Sequence, residues 1–317
     1  MSIHEPGTCN SNIYKPDIYK KERSYPFGSN PYGSYPEEQA RRPMTDVRHR
    51  LYLDPTEPEE TALPSGDVTE GVVRVGATVR RPAQPQSFAV AAFLDHLASV
   101  GFEGSPRFLG RDAKGRDVLT YLEGRCAGPV PELWAQDEAL LVSVGRMVRR
   151  LHGAAAGYDP SVEPFPPRPV RQDPAELVCH LDVTPQNVVV CGGTAVGLVD
   201  FDLAGPSTRL KDSYNTAMHW VPLRDPADLW PGWEAVDQAR RLRIFADAYG
   251  WETEERRRLP DFGAEAAVLS WERMKHNAEV RGGGWARMWA EGVGGVILRR
   301  RNWLQENRRT LVNALLA

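Results

Sequence analysis

Short runs of β-branched residues and one helical repeat alternate between residues 71 and 122. Two apolar runs joined by a Gly-Ala turn predict a β-hairpin. A helix follows, with Ser87 as its N-cap and Gly101 as its stop, and two further strands lie beyond it. These elements are expected over residues 72–76, 78–81, 88–100, 107–110 and 117–122. The order strand, strand, helix, strand, strand predicts a small, β-rich N-terminal lobe at 63–122.

The chain after residue 122 has a helical pattern instead. Apolar residues from Leu140 to Leu151 recur at positions i, i+1, i+4, i+7, i+8 and i+11, with arginines on the opposite side. This spacing predicts a helix with one buried face that ends at Gly153. Helical patterns resume after a proline-rich approach and continue to residue 317. We therefore predict a larger, mainly helical C-terminal lobe at 123–317 and an α+β fold overall.

Residues 1–62 have a different texture. They hold six of the ten tyrosines and eight prolines, with almost no aliphatic runs. One interpretation is a disordered or loosely attached tail. The other is that translation starts at Met44, which follows Arg41-Arg42-Pro43, so that the preceding segment is not made.

The charge balance narrows the range of partners. The 39 basic residues stand against 42 acidic ones, which gives no general attraction to nucleic acid or to an anionic membrane. No run approaches the roughly 18–20 apolar residues of a membrane span, and the N-terminus lacks a signal-peptide pattern. We expect a cytoplasmic protein whose partners are small molecules. The oligomeric state leaves no signal in the sequence.

The residues that carry chemistry surround a second predicted hairpin. Residues 188–190 and 195–199 would pair through the turn at Gly192-Gly193, which brings Asn187 and Asp200 to the same end of the hairpin. An amide oxygen and a carboxylate at one place form an all-oxygen site suited to Mg²⁺. Asp182, just upstream, could accept the proton of an attacking hydroxyl. Alternatively, these residues are ordinary caps and turn formers.

This pattern resembles the protein-kinase catalytic loop, in which His-x-Asp-x-x-x-x-Asn is followed by Asp-Phe-Gly. It is more similar to the aminoglycoside phosphotransferase family, because Pro185 lies three residues after Asp182 and Asp-Phe-x-x-Ala begins at Asp200. The resemblance extends from the hairpin at Val72 into the helical C-terminal lobe, and it is specific over residues 177–212.

The resemblance implies a protein-kinase-like, two-lobed fold and transfer of the γ-phosphoryl group of ATP or GTP to a hydroxyl of a metabolite or antibiotic. By position it implies Asp182 as the catalytic base, Asn187 and Asp200 as magnesium ligands, and His180 as a residue that braces the loop. The alternative is a catalytically silent protein of the same fold that binds a ligand or a partner.

The N-terminal lobe departs from the kinase pattern. Kinases hold the phosphates with a lysine paired to a glutamate, but no lysine occurs between Lys21 and Lys114, and Asp95 is the single acid in the first helix. Arg80 occupies the expected place and is our candidate for phosphate binding, with a solvated strand-face charge as the alternative. The nucleotide-binding candidates are Arg80, Gly71, Gly76, Tyr121 and Leu122. The glycines would form a turn over the phosphates, and Tyr121 and Leu122 lie on the strand expected to face adenine.

Three neighbours of the motif have open roles. Asp202 is expected either to reach a second metal or to make a loop hydrogen bond. Asp212 is expected to cap the helix that starts at Ser213 or to tie that helix to the catalytic loop. His152 is expected to pack at the end of its helix.

The acceptor is indicated only by charge and aromatic content. Residues 263–317 contain nine Lys or Arg and five Glu, which argues against a polycationic acceptor such as an aminoglycoside. We expect two or three tryptophans at most in the acceptor site and the others in the core. The candidates are Trp220, Trp230, Trp233, Trp271, Trp285 and Trp289.

Overall fold

The computed structural model describes residues 47–52, 59–63, 71–167 and 174–317. Its elements, in chain order, are β1 (Thr61–Ala62), β2 (Val73–Val75), β3 (Thr78–Arg81), α1 (Ser87–Ser99), β4 (Phe108–Arg111), β5 (Asp117–Thr120), α2 (Glu138–Ala155), β6 (Leu177–Cys179), β7 (Val188–Cys191), β8 (Thr194–Leu198), β9 (Gly205–Ser207), α3 (Arg209–Trp220), α4 (Gln238–Tyr249), α5 (Thr253–Val280), α6 (Gly283–Ala290), α7 (Val293–Glu306) and α8 (Arg308–Leu316). The predicted α+β class is confirmed. Within these ranges, no helix is long and apolar enough to cross a membrane.

The first lobe is an antiparallel sheet of order β1-β2-β3-β5-β4 with α1 packed against it. The predicted strands and helix are all present, with small shifts at their ends: β5 stops at Thr120, and Gln86 rather than Ser87 is the N-cap of α1. The Ser87 hydroxyl instead donates to Asp117 on β5 and accepts from the Gln84 amide at 2.8 Å. Ser87 therefore ties the start of the helix to the sheet.

The segment 47–52 belongs to this lobe, so the expected boundary of the tail is wrong. Val47 is buried with Ala91, Ala92 and Phe108. The chain then runs beside β4, where the Tyr52 amide donates to the Arg111 carbonyl at 2.8 Å, and β1 adds an edge strand at residues 61–62. Backbone pairing and one buried valine hold this stretch, and neither requires an aliphatic run. Residues 1–46, including the proposed start at Met44, lie outside the described residues.

Helix α2 organises the second lobe. Its buried stripe is the predicted one, from Leu140 to Leu151, and the Asp137 carboxylate caps it by accepting from the Leu140 amide at 2.9 Å. Gly153 lies inside the helix and does not end it. Gly145 lets α2 approach α4 closely, since a Cβ there would lie 3.0 Å from the Ala248 Cβ. The largest hydrophobic cluster runs from α1 through α2 to α8 and so joins the two lobes.

The hairpin β7–β8 forms as predicted, with Val188 opposite Leu198. Gly192 and Gly193 both have positive φ, 56° and 75°, which a two-residue hairpin turn of this kind requires and which glycine adopts freely. A second pair, β6 with β9, was not expected because its strands are far apart in sequence. Together the two pairs fix the segments on both sides of the motif at residues 180–202.

Replacement of Val47 by alanine tests whether the segment 47–52 is part of the first lobe. Val47 is 1% exposed, so Val47→Ala should lower the free energy of unfolding by about 1–2 kcal/mol. Leu51→Ala is the matched control, because Leu51 is 64% exposed and a surface change there should cost less than about 0.5 kcal/mol. Equally small losses in chemical denaturation would show that the segment is a loose tail after all.

Candidate active site

The loop between β6 and β7 brings Asp182 and Asn187 together. The Asn187 side-chain amide donates to the Asp182 carboxylate at 2.8 Å and to the Asp182 backbone carbonyl at 2.9 Å. Both bonds use the NH₂ group, so the amide oxygen of Asn187 points away from Asp182 and can serve as an acceptor or ligand. Asn187 therefore orients one carboxylate oxygen of Asp182.

Asp200 stands at the end of the hairpin, beside Asn187. The Val199 amide donates to the Asn187 carbonyl at 2.9 Å, which holds the two segments together. The backbone of Asp200 has the left-handed conformation, with φ of 60°. This conformation costs energy for a residue other than glycine and is often found at functional sites. Its side chain is 38% exposed. Asp182, Asn187 and Asp200 all line one cleft of about 2410 Å³.

A buried carboxylate, Asp212 on α3, holds the loop between β6 and β7 in place. It accepts from the backbone amides of His180 at 3.1 Å and Leu181 at 2.7 Å, and from His152 Nε2 at 2.9 Å. Leu181 is the second left-handed residue, with φ of 65°. Of the two expectations for Asp212, the tie to the loop is correct and the cap is wrong, because Thr208 caps α3.

The charge of Asp212 is stabilised where it lies. Burial favours the neutral form, but the hydrogen bond and charge of His152, together with the Leu181 amide, outweigh it and lower the pKa of Asp212. His152 is thus more than helix-end packing, since its other ring nitrogen is hydrogen-bonded to the Tyr249 hydroxyl at 2.8 Å. Cys179 lies beside this pair, but both imidazole nitrogens are already engaged.

His180 lies beneath the loop and does not contribute to the cleft wall. Its Nε2 donates to the Val199 carbonyl at 3.0 Å, and its Nδ1 accepts from the Asp182 amide at 3.3 Å. Burial lowers the pKa of this imidazole, which keeps it neutral and preserves both bonds. These contacts agree with a bracing residue. His180 thus contacts Asp182 through the backbone and lies outside the cleft wall.

The structure corrects the expectation for Arg80. Arg80 is buried, donates to the Thr78 hydroxyl, forms an ion pair with Asp112 at 3.8 Å and stacks on Tyr52. Its neighbour Arg81 enters the cleft, where it pairs with Asp202 and lies 3.5 Å from an Asp200 oxygen. Successive strand residues face opposite sides of a sheet, so Arg80 and Arg81 cannot both reach the site. Asp202 therefore makes an ion pair within the protein.

The other nucleotide-binding candidates divide into two groups. Tyr121 and Leu122 line the cleft, together with Val72, Val79 and Leu119. The Tyr121 amide donates to the Ala77 carbonyl at 2.9 Å, and its ring lies under Arg74. Although both are among the described residues, Gly71 and Gly76 contribute nothing to the cleft wall; Gly76 forms the turn between β2 and β3, with φ of 58°. This end of the cleft is an apolar slot.

The opposite end of the cleft lies between α3, α5, α7 and the loop at 224–230. Trp230 and Trp285 line it, whereas Trp220 and Trp233 are buried in the core, in agreement with the expected two or three tryptophans. Arginines dominate this wall, and sequence reasoning did not single them out. They are Arg224, Arg258, Arg273, Arg281 and Arg300. The net positive charge of residues 263–317 was the one available signal.

Comparisons with known proteins support the fold and the resemblance. The structure superposes on a choline/ethanolamine kinase family protein from Mesorhizobium loti with a TM-score of 0.56 and 17% identity, covering 88% of this chain and 98% of that one. The chain is also 29% identical to the trifolitoxin immunity protein of Rhizobium leguminosarum bv. trifolii over 212 residues, which are 62% of this chain and 77% of that protein. Residues 163–260 match the model of the phosphotransferase enzyme family.

The fold is the two-lobed, protein-kinase-like one, and residues 163–260 resemble the phosphotransferase enzyme family. The predicted resemblance to the aminoglycoside phosphotransferase-like family is confirmed, and the matched segment contains Asp182, Asn187 and Asp200.

Replacement of Asp212 by asparagine tests the brace. Asparagine has one acceptor oxygen for three donors and would place an NH₂ group against a backbone amide, so Asp212→Asn should lower the free energy of unfolding by at least about 2 kcal/mol. Asp237→Asn is the control, since Asp237 caps α4 and asparagine caps as well as aspartate. If both variants unfold at the same denaturant concentration as the wild type, the hydrogen bonds of Asp212 do not stabilise the loop.

Proposed function

We propose that the protein is a small-molecule kinase that transfers the γ-phosphoryl group of ATP or GTP to a hydroxyl group. The observation that carries the proposal is the convergence of Asp182, Asn187 and Asp200 on one cleft. Such a cleft exceeds the usual volume of roughly 300–1,000 Å³ for a single small ligand, so a nucleotide and an acceptor fit together. Phosphoryl transfer depends mainly on positioning and charge neutralisation.

Asp182 is the proposed catalytic base. One of its oxygens accepts from Asn187, and in the proposed reaction the carboxylate takes the proton of the acceptor hydroxyl. Arg273 lies on the facing helix α5. Burial lowers the pKa of Arg273, and the nearby charge of Asp182 opposes this shift. The pair thus places a cation near the proposed base.

Asn187 and Asp200 are the proposed magnesium ligands. An amide oxygen and a partly exposed carboxylate are hard oxygen donors, and Mg²⁺ accepts such donors while completing its shell with water and phosphate oxygens. The residues present therefore fit the ion. When bound, it would neutralise charge on the nucleotide phosphates.

Arg81 is the proposed substitute for the missing lysine. It already lies at Asp200 and Asp202, where the phosphates of a metal-bound nucleotide would arrive. A guanidinium binds phosphate through two parallel hydrogen bonds. The apolar slot at Val72, Val79 and Leu122 is then the proposed site of the base.

A silent, ligand-binding protein is the second candidate. Two observations favour it: the lysine and glutamate of the kinase pattern are missing, and one relative is named an immunity protein. The oriented base and both oxygen ligands favour the kinase, because a binding protein does not need them together.

Replacement of Asp182 by asparagine separates the two candidates. We expect Asp182→Asn to abolish transfer of label from γ-labelled ATP to the acceptor found by screening aminoglycosides, macrolides, nucleosides and amino alcohols. General base catalysis contributes roughly 10²–10⁴-fold, while nucleotide affinity should stay within about 3-fold, since Asp182 is not a proposed ligand of the nucleotide. Undiminished transfer by the variant would remove Asp182 from the mechanism, and loss of nucleotide binding together with transfer would argue against its assigned role.

Replacement of Arg81 by glutamine tests the phosphate contact. Loss of a charge-assisted contact should weaken ATP binding by roughly 10-fold, measured by calorimetry in the presence of Mg²⁺. Arg107→Gln is the control, because Arg107 is an exposed arginine of the same lobe that does not line the cleft. Equal nucleotide affinity in both variants would show that Arg81 does not bind the phosphates.

A further inference from the structure

Two buried arginines face the acceptor end of the cleft. Arg224 and Arg300 are 8% and 7% exposed, and both line the cleft. The Nε atom of each has no hydrogen-bond partner among the described residues. Arg224 lies over the Trp230 ring, and its guanidinium carbon (Cζ) is 3.9 Å from the ring centroid. Arg300 contacts the sulfur of Met218. These two neighbours, an aromatic ring and a thioether, contact the guanidinium groups but carry no charge that would neutralise them.

The charge of this pair is only partly balanced within the described residues. Burial and the charge of Arg300 lower the pKa of Arg224 to about 10, and burial lowers the pKa of Arg300. Burial and both arginines lower the pKa of His219, beside them in the cleft, to about 3, so this imidazole stays neutral. The nearby acid, Asp228, partly offsets the charge of both arginines, but its carboxylate is bound by Arg299, whose Nε donates to it at 2.9 Å. Two buried cations that share one such acid are costly.

The rest of this wall suits a hydroxylated ligand. Two buried groups that line the cleft, the Asn277 side-chain oxygen and the Tyr214 hydroxyl, also have no partner among the described residues. Asn277 can accept from a hydroxyl, and Tyr214 can donate to one. Arg273, which lies on α5 one turn before Asn277, is near Asp182. Groups that can hydrogen-bond hydroxyls therefore line the same cleft as Asp182 and the two buried arginines.

We propose that the acceptor is a small hydroxylated molecule that carries an anionic group, a carboxylate or a phosphate, held by Arg224 and Arg300 while one of its hydroxyls faces Asp182. The proposed binding of the anion depends only on the two arginines. Phosphoryl transfer to the hydroxyl also requires the proposed function. In that step the hydroxyl oxygen forms a bond to the γ-phosphorus, the bond from phosphorus to the β-phosphate oxygen breaks, and the proton goes to Asp182. The products are a phosphate monoester and a nucleoside diphosphate.

Calorimetry without nucleotide tests the binding. The probes share a six-carbon skeleton and differ in charge: gluconate, glucose 6-phosphate, glucose and glucosamine. We expect at least one of the two anions to bind about 10-fold or more tightly than glucose and glucosamine, as charge-assisted hydrogen bonds to a buried site should provide. Binding of gluconate would identify the anionic group as a carboxylate, and binding of glucose 6-phosphate would identify it as a phosphate. Equal or tighter binding of glucose or glucosamine, or no binding of either anion, overturns the proposal.

Variants locate the binding at the two arginines. Arg300→Gln and Arg224→Gln should each weaken the anion about 10-fold or more and leave glucose unaffected. Arg300→Lys, which keeps the charge, should restore part of the affinity. Arg309→Gln, an exposed arginine outside the cleft, is the control and should bind as the wild type does. Anion affinity that is unchanged in both glutamine variants overturns the proposal, and if a variant fails to fold, the comparison of the four probes with wild-type protein still decides.

Transfer assays with labelled ATP distinguish this inference from the proposed function. If the anion binds in an arginine-dependent way but no probe or screened compound is labelled, the anion site stands and the kinase proposal fails. If glucosamine or another cation is labelled faster than the anions, the kinase proposal stands and the anionic acceptor is wrong.

Discussion

The hydrogen bonds to the buried carboxylate of Asp212 are the interaction on which the site depends. They fix two consecutive backbone amides, at His180 and Leu181, and they compensate for the left-handed conformation of Leu181. That conformation turns the chain so that Asp182 faces the cleft while His180 lies beneath it. Because His152 is hydrogen-bonded to the carboxylate from the other side, the helices α2 and α3 and the loop form one unit. Strain at the site is thereby offset in the core.

Charge is arranged along the cleft in a consistent order. Arg81 pairs with the carboxylates of Asp200 and Asp202 at the proposed nucleotide end, and the charge of Asp182 acts on Arg273. At the far end the buried arginines 224 and 300 share one acid, Asp228, whose carboxylate is bound by Arg299. The first pairs are balanced within the protein. The last pair is balanced only in part, and this asymmetry is the basis for proposing an anionic acceptor.

Much of this arrangement could be predicted from local patterns. The glycine pair at 192–193 sets the hairpin, and the hairpin sets the positions of Asn187 and Asp200, so the oxygen cluster follows from spacing alone. The amphipathic repeat of α2 and the strands around α1 were equally readable. In each case the signal lies within about a dozen residues, the range over which periodicity and turn chemistry operate.

The remaining features depend on contacts between distant segments. Whether Arg80 or Arg81 reaches the cleft depends on which face of β3 lines the cleft. Two adjacent arginines in the sequence do not show which face that is. The pairing of β6 with β9 and the packing of residues 47–52 on β4 join segments that share no local pattern. Arg224 and Arg300 come from a loop and a helix that meet only in the folded chain, so composition indicated positive charge but not its position.

The central claim is that Asn187 and Asp200 form a metal-dependent nucleotide site. The most direct measurement is the melting temperature of the wild type and of Asp200→Asn with Mg²⁺, with a non-hydrolysable ATP analogue, and with both. The account predicts a rise in the wild type that requires Mg²⁺ and the analogue together and is lost in Asp200→Asn. A wild-type protein whose melting temperature does not respond to the two together, or a variant that responds as fully as the wild type, would contradict it.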